Sequence, residues 1–129
     1  MWVDDRLVVV PAWQQQAFDD GVVTIQIEPG GAFGLGDHPT TLLSLRATRR
    51  HLGAGSRVLD VGCGTGVIAV MAALIGGGSV RAVDVASAAV EATRDNAARN
   101  GVADRVDADA TPASGLEGSF DLVVANIPA

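Results

Sequence analysis

Residues 58–67 read VLDVGCGTGV, with three glycines at alternate positions and an acid, Asp60, just ahead of them. Glycine has no Cβ, so at Gly62, Gly64 and Gly66 backbone N–H groups can lie against a bound molecule where the chain passes from strand to helix. The spacing narrows the ligand. Dinucleotide folds use G-x-G-x-x-G, and Val67 stands where that pattern wants its third glycine, which makes NAD the poorer fit. A phosphate-cradling P-loop needs a lysine after its last glycine, and this chain contains no lysine. The plain alternative is a tight strand-to-helix turn that binds nothing.

Asp84 argues for a ligand. It ends the apolar run VRAVDV and lies 20 residues after Gly64, where such folds hold ribose hydroxyls. A carboxylate offers two acceptor oxygens to the 2′ and 3′ O–H donors. The alternative is a solvated acid at a strand end. Turn and acid together point to a cofactor containing adenosine.

A second stretch, AFGLGDHPTT at 32–41, is rich in special residue types. Pro39 suits the first position of a helix and pushes His38 toward the extended backbone of an N-cap. Thr40 and Thr41 then fall in the first turn, where unpaired N–H donors and the helix dipole favour an anion. Neither His38 nor His51 has metal-ligand company, so no metal is expected. Cys63 reads as a small buried residue within the glycine turn rather than a nucleophile. Asn126 closes the last apolar run, FDLVVAN, at the strand end where ligands bind in open parallel sheets.

Elements must position these residues. RLVVV (6–10) and VVTIQIE (22–28) read as two strands of a small antiparallel arm, an N-terminal β-hairpin, and Pro29-Gly30-Gly31 closes the second run as a turn. From residue 37 onward, helix and strand signals alternate. The pattern predicts helices over 39–52, 65–76 and 87–100, and strands over 57–61, 80–85, 105–109 and 120–126. This is an α/β, Rossmann-like parallel sheet with helices on both faces. Residues 1–36 form the arm and cofactor loop and 37–129 the core, one domain overall. Asp95 and Arg99 are spaced for an i,i+4 pair, and Asn100-Gly101 for a helix stop.

Composition sets the outer bounds. A chain of 129 residues suits one domain burying about two-thirds of its unfolded surface. Nine basic against 15 acidic residues leave a net charge of −6, which argues against nucleic acid as a partner. One cysteine excludes an internal disulfide framework. The start, MWVDDRLVVVPAW, lacks the charge and the apolar length of a signal peptide, and no run reaches the roughly 18 apolar residues of a membrane helix. A cytoplasmic protein with no membrane partner is expected.

DVGCGTG followed by VRAVDV resembles the first two motifs of the class I S-adenosylmethionine-dependent methyltransferases. EPGGAFGLGDHPTT is similar to the loop of the ribosomal protein L-eleven methyltransferases, P-G-x-A-F-G-T-G-T-H-P-T-T, and DNAARNGV and VVANI match that family in order. Leu35 and Asp37 depart from the family's threonines, and Pro128 from its leucine. The resemblance implies S-adenosyl-L-methionine as cofactor, held by Gly62, Gly64, Gly66, Asp60 and Asp84. Thr40 and Thr41 would receive the methionyl carboxylate, and Gly34 and Gly36 would let the loop pass close. Phe33 would pack on the cofactor or fill core, and Asp109 would reach the adenine amino group. It implies further that Asn126, the catalytic candidate, accepts the N–H bonds of the amine to be methylated, in a protein substrate such as a ribosomal protein. The family's sheet has about seven strands and a separate substrate-recognising domain. The chain is therefore expected to be C-terminally truncated, with its fourth strand an exposed edge inviting self-association. Three functions follow: a protein amino-group methyltransferase, a cofactor-binding module completed by a partner or a dimer, and, as the weaker fit, an NAD-dependent oxidoreductase.

Overall fold

The alternation of short Val-rich runs with helical segments gives two sheets separated by a layer of helices. The computed structural model describes residues 1–14, 18–28 and 39–126. In chain order these form β1 (Trp2–Asp4), β2 (Leu7–Pro11), β3 (Val23–Ile27), α1 (Pro39–His51), β4 (Val58–Val61), α2 (Val67–Gly76), β5 (Val80–Val83), α3 (Ser87–Arg99), β6 (Val106–Asp109) and β7 (Leu122–Ala125). A short 3-10 turn, Ala113–Gly115, lies in the connection to β7. The sequence-based boundaries from β4 onward agree to within about two residues, the usual fraying of element ends.

The larger sheet is all parallel, in the order β6-β5-β4-β7. Val58 registers with Val80 and Leu122, and Asp60 with Ala82 and Val124. The steps from β4 to β5 and from β5 to β6 run the same way across the sheet, so right-handed crossovers put α2 and α3 on one face. α1 packs against α2 and beside β7, completing the layer. Helices on both faces were expected, but among the described residues all three helices lie on one. Val58, Val80, Ala82, Val106 and Ala108 point toward them into the core. The alternate residues Leu59, Arg81, Val83, Asp107 and Val123 face the other way.

The N-terminal strands make a separate sheet on the far side of the helix layer, with β3 against α2 and α3, and β1 against α1. α2 is thus enclosed between two sheets, which is why every residue from Val67 to Ala73 is buried. The expected antiparallel pairing of the two longer arm strands is corrected: β2 and β3 run parallel, from Leu7 opposite Val23 to Pro11 opposite Ile27. The connection over 12–22 is long enough to carry the chain back to the same end. The hairpin of the arm is instead β1 with β2, Trp2 opposite Val8. A three-residue strand carries too little periodicity to be seen in sequence.

α3 stops as expected, with Asn100 at its C-cap and Gly101 at φ 73°. The expected Asp95–Arg99 pair does not form. Arg99 Nε instead donates to Asn96 Oδ1 on the same helix, at 3.4 Å.

Candidate functional site

The glycine turn sits between the end of β4 and the start of α2, and all three glycines have positive φ: 76° at Gly62, 55° at Gly64 and 86° at Gly66. A side chain at any of them would be strained. The N–H groups of Gly62 and Cys63 donate to Val83 O at 2.8 and 3.1 Å, tying the turn to the end of β5. Gly64 N–H donates to Asp84 Oδ2 at 3.1 Å, and Ala86 N–H donates to Asp84 Oδ1 at 2.9 Å. The predicted turn and the predicted acid are therefore in direct contact, with the carboxylate half-exposed and each oxygen keeping a lone pair. Asp84 N–H donates to Asp109 O at 3.2 Å, so the ends of β5 and β6 lie side by side.

Gly66 differs from the other two. A Cβ there would meet the Thr93 Cα at 2.8 Å, so this glycine lets α2 and α3 approach each other. Thr93 Oγ1 in turn donates to Cys63 Sγ at 3.2 Å and lies 3.3 Å from Gly64 O. Burial pushes the Cys63 thiol up to about 11, against partial relief from the Thr93 hydroxyl. It stays a protonated, packed thiol at neutral pH.

Asp60 is 1% exposed, and neither carboxylate oxygen has a hydrogen-bond partner among the described residues. It points to the helix side of β4, toward the first turn of α2. Desolvation raises its pKa from 3.8 to about 7, and the negative charge of Asp84 adds to the rise. The Ala69 N–H opposes this in part without reaching hydrogen-bonding geometry. A buried carboxyl group without a partner costs stability, so its retention needs a reason.

Asn126, just beyond β7, donates from Nδ2 to Thr41 Oγ1 at 3.1 Å, across 85 residues of sequence. Two predicted site residues are thus brought together, with the amide nitrogen the engaged end. Thr40 is exposed on the first turn of α1, which begins at Pro39 as its type suggests. Asp109 is held elsewhere: Thr111 N–H donates to Oδ1 at 2.9 Å and Arg81 Nη2 to Oδ2. Thr111 first, then Arg81, keep this carboxyl below the usual range. Pro29, Gly30, Gly31, Phe33, Gly34, Leu35, Gly36, Asp37, His38 and Pro128 lie outside the described residues. Among the described residues no three His, Cys, Asp or Glu side chains gather as a metal site.

A sequence model of the ribosomal protein L11 methyltransferase (PrmA) family matches residues 1–129. The chain belongs to that family. The ribosomal protein L11 methyltransferase of Symbiobacterium thermophilum is 50% identical over 125 residues, 97% of this chain and 41% of the relative. This chain spans about two-fifths of the length of the curated relatives it matches. The crystal structure of a ribosomal protein L11 methylase from Lactobacillus delbrueckii subsp. bulgaricus superposes with a TM-score of 0.88 at 34% identity, covering 98% of this chain and 65% of that one. An S-adenosylmethionine-dependent methyltransferase from Geobacter sulfurreducens, solved with S-adenosyl-L-homocysteine, matches with a TM-score of 0.55 at 30% identity, over 67% of this chain and 34% of the other.

Two residues escaped the sequence reading. Val85 is an apolar side chain 90% exposed directly beside Asp84. Its signal was position, two residues past the end of β5, where a core valine has no further use. Asn96 is fully buried within α3 and bonds to the glycine turn. Its signal was an amide in the middle of a helix face otherwise made of alanines, Val90 and Thr93.

Proposed function

We propose that this chain is the cofactor-binding part of an S-adenosylmethionine-dependent protein methyltransferase acting on an amino group of a ribosomal protein. The observation that carries the reading is the Gly64–Asp84 contact, which sets a half-exposed carboxylate against a glycine turn at the carboxyl end of a parallel sheet. Its donor set fits an adenosine with a cationic tail. Asp84 would accept the ribose hydroxyls, and exposed Val85 would offer an apolar surface to the base. Buried Asp60, without a hydrogen-bond partner among the described residues, suits a group carrying positive charge. The methionyl carboxylate would fall to Thr40 and Thr41 at the start of α1. When bound, the cofactor supplies an activated methyl on a sulfonium centre.

The chain's own task is then to aim an amine. Methyl transfer is an in-line displacement, so most of the acceleration comes from holding an uncharged lone pair on the axis. With Nδ2 bound to Thr41, the Asn126 amide is fixed in rotation, and its oxygen is the end suited to accept the N–H of an amine. The amine's proton leaves to water. Asp109, tied to Arg81 and Thr111, supports the neighbouring strand end and would meet the adenine edge only from that fixed position. The resemblance to ribosomal protein methyltransferases supports the protein acceptor, and the outer edge of β7, unpaired among the described residues, supports self-association through that strand.

The test is calorimetric titration of the chain with S-adenosylmethionine and, separately, NAD, for the wild type and for Asp84→Ala. Binding of the first alone is expected, weakened at least about a hundredfold in the variant by loss of two charge-assisted hydrogen bonds. Binding of NAD instead, or an unaffected Asp84→Ala, would refute the reading.

A further inference from the structure

One buried amide joins two parts of the fold that the sequence sets far apart. Asn96, 0% exposed on α3, donates from Nδ2 to Glu28 O at 2.9 Å and to Thr65 O at 2.8 Å, and its Oδ1 accepts Glu28 N–H at 2.9 Å. Glu28 follows directly on β3, and Thr65 lies inside the glycine turn. One helical turn on, Asn100 repeats half of the pattern: its Oδ1 accepts Gln26 N–H at 2.9 Å and its Nδ2 donates to Gln26 O at 2.8 Å. The match is metric. Four residues of helix rise about 6 Å and two residues of strand about 6.6 Å, so amides at i and i+4 meet strand residues at j and j−2. α3 thereby supplies the outer edge of β3 with the donors and acceptors that another strand would give.

Asn100 stops at the strand, whereas Asn96 continues to the turn. With Thr93, three residues earlier, α3 directs polar atoms at two successive carbonyls, those of Gly64 and Thr65. In a trans peptide the N–H points opposite to the C=O, so fixing the Gly64 carbonyl toward α3 aims the Thr65 N–H away from it. The Thr65 N–H has no hydrogen-bond partner among the described residues.

We propose that Asn96 is a positioning residue for the glycine turn, its one amide locking the Thr65 peptide and the end of β3 into a single rigid unit. It touches no reacting atom and acts through Thr65. That the turn then receives an adenosine cofactor rests on the function proposed above; the locking itself does not.

The experiment compares Asn96→Ala and Asn96→Asp with Asn100→Ala. Asn96→Asp keeps the shape and the acceptor for Glu28 N–H but faces both carbonyls without a donor. Asn100→Ala releases β3 at Gln26 and leaves Thr65 held. Amide hydrogen exchange is followed without ligand over 62–66, where Gly62, Cys63, Gly64 and Gly66 N–H groups are all bonded. Exchange there is expected to quicken about tenfold in both Asn96 variants, the effect of losing the one ordinary hydrogen bond by which Asn96 reaches the turn, and to stay at the wild-type rate in Asn100→Ala. Dissociation constants for S-adenosylmethionine should follow the same order. Equal exchange in all three variants, or protection of 62–66 retained in the Asn96 variants, overturns the proposal. If the wild type binds no S-adenosylmethionine but the exchange pattern appears, the positioning role stands and the cofactor reading falls.

Discussion

A carboxyl group that folding removes from water and that has no hydrogen-bond partner among the described residues is the most consequential single feature of the site. Asp60 has a folded pKa of about 7 against 3.8, so between those values the native chain binds a proton the unfolded chain has released. Stability contributed by protonated Asp60 is intact in acid, declines as pH rises from about 4, and is lost above about 7, at about 1.4 kcal/mol per unit. Asp60→Asn, neutral throughout, should flatten that slope and raise the melting temperature at pH 8 relative to the wild type. A cation bound beside the carboxylate would favour its ionised form, so wild-type affinity for S-adenosylmethionine should rise through pH 7 while that of the variant stays flat. Thermal melts and titrations at pH 5.5 and 8 check both. A variant with unchanged pH slopes would mean that Asp60 is hydrated and paired in solution. Its place in the motif was legible in sequence, but its lack of a partner was not, because burial and pairing are set by α2 and β5 folding over it.

Between residues and molecule stands the contact of α2 with α3, and at Gly66 the two come too close to admit a side chain. Its φ of 86° and the 2.8 Å approach to the Thr93 Cα are separate obstacles to a side chain, and the second is backbone that cannot rotate away. Gly66→Ala should therefore lose roughly 2–5 kcal/mol, left-handed strain plus overpacking. Gly101→Ala, with φ 73° and open space at its Cβ, should lose about 1–2 kcal/mol from strain alone. Chemical denaturation of the two variants separates these terms, and equal losses would show that the helices part freely. Elements of this kind were readable where periodicity is local: the four strands of the large sheet and the three helices follow from Val-rich runs, Pro39 and Asn100-Gly101. Pairing was less readable. β2 and β3 look like a hairpin in sequence, yet their partners are chosen by α2 and α3, with Asn96 and Asn100 taking one edge of β3. The turn and Asp84 were found by spacing, whereas Asn96 and Val85 have meaning only once α3 and the end of β5 stand beside the turn.

At the scale of the whole molecule the two sheets are treated differently. One face of the large sheet carries every described helix, and the small sheet closes that layer from the other side. The opposite face keeps Val123 56% exposed in β7, the outermost strand on its side among the described residues. Beside it α1 overhangs, leaving a groove of about 340 Å³ between Ala47, Thr48, His51 and the strand. A parallel strand with apolar side chains and unpaired backbone groups is a template for another strand. Concentration-dependent association through β7 is therefore expected. Val123→Lys places a charge on that strand without touching the glycine turn, Asp60 or Asp84. Sedimentation velocity should show the wild type moving to dimer or larger species as concentration rises, and the variant remaining monomeric, with equal affinity for S-adenosylmethionine. A wild type that stays monomeric would show that side chains on α1 and β7 already shield the edge. Association persisting in Val123→Lys would move the contact elsewhere, with the β6 edge, where Asp107 and Asp109 flank Arg81, the next to examine.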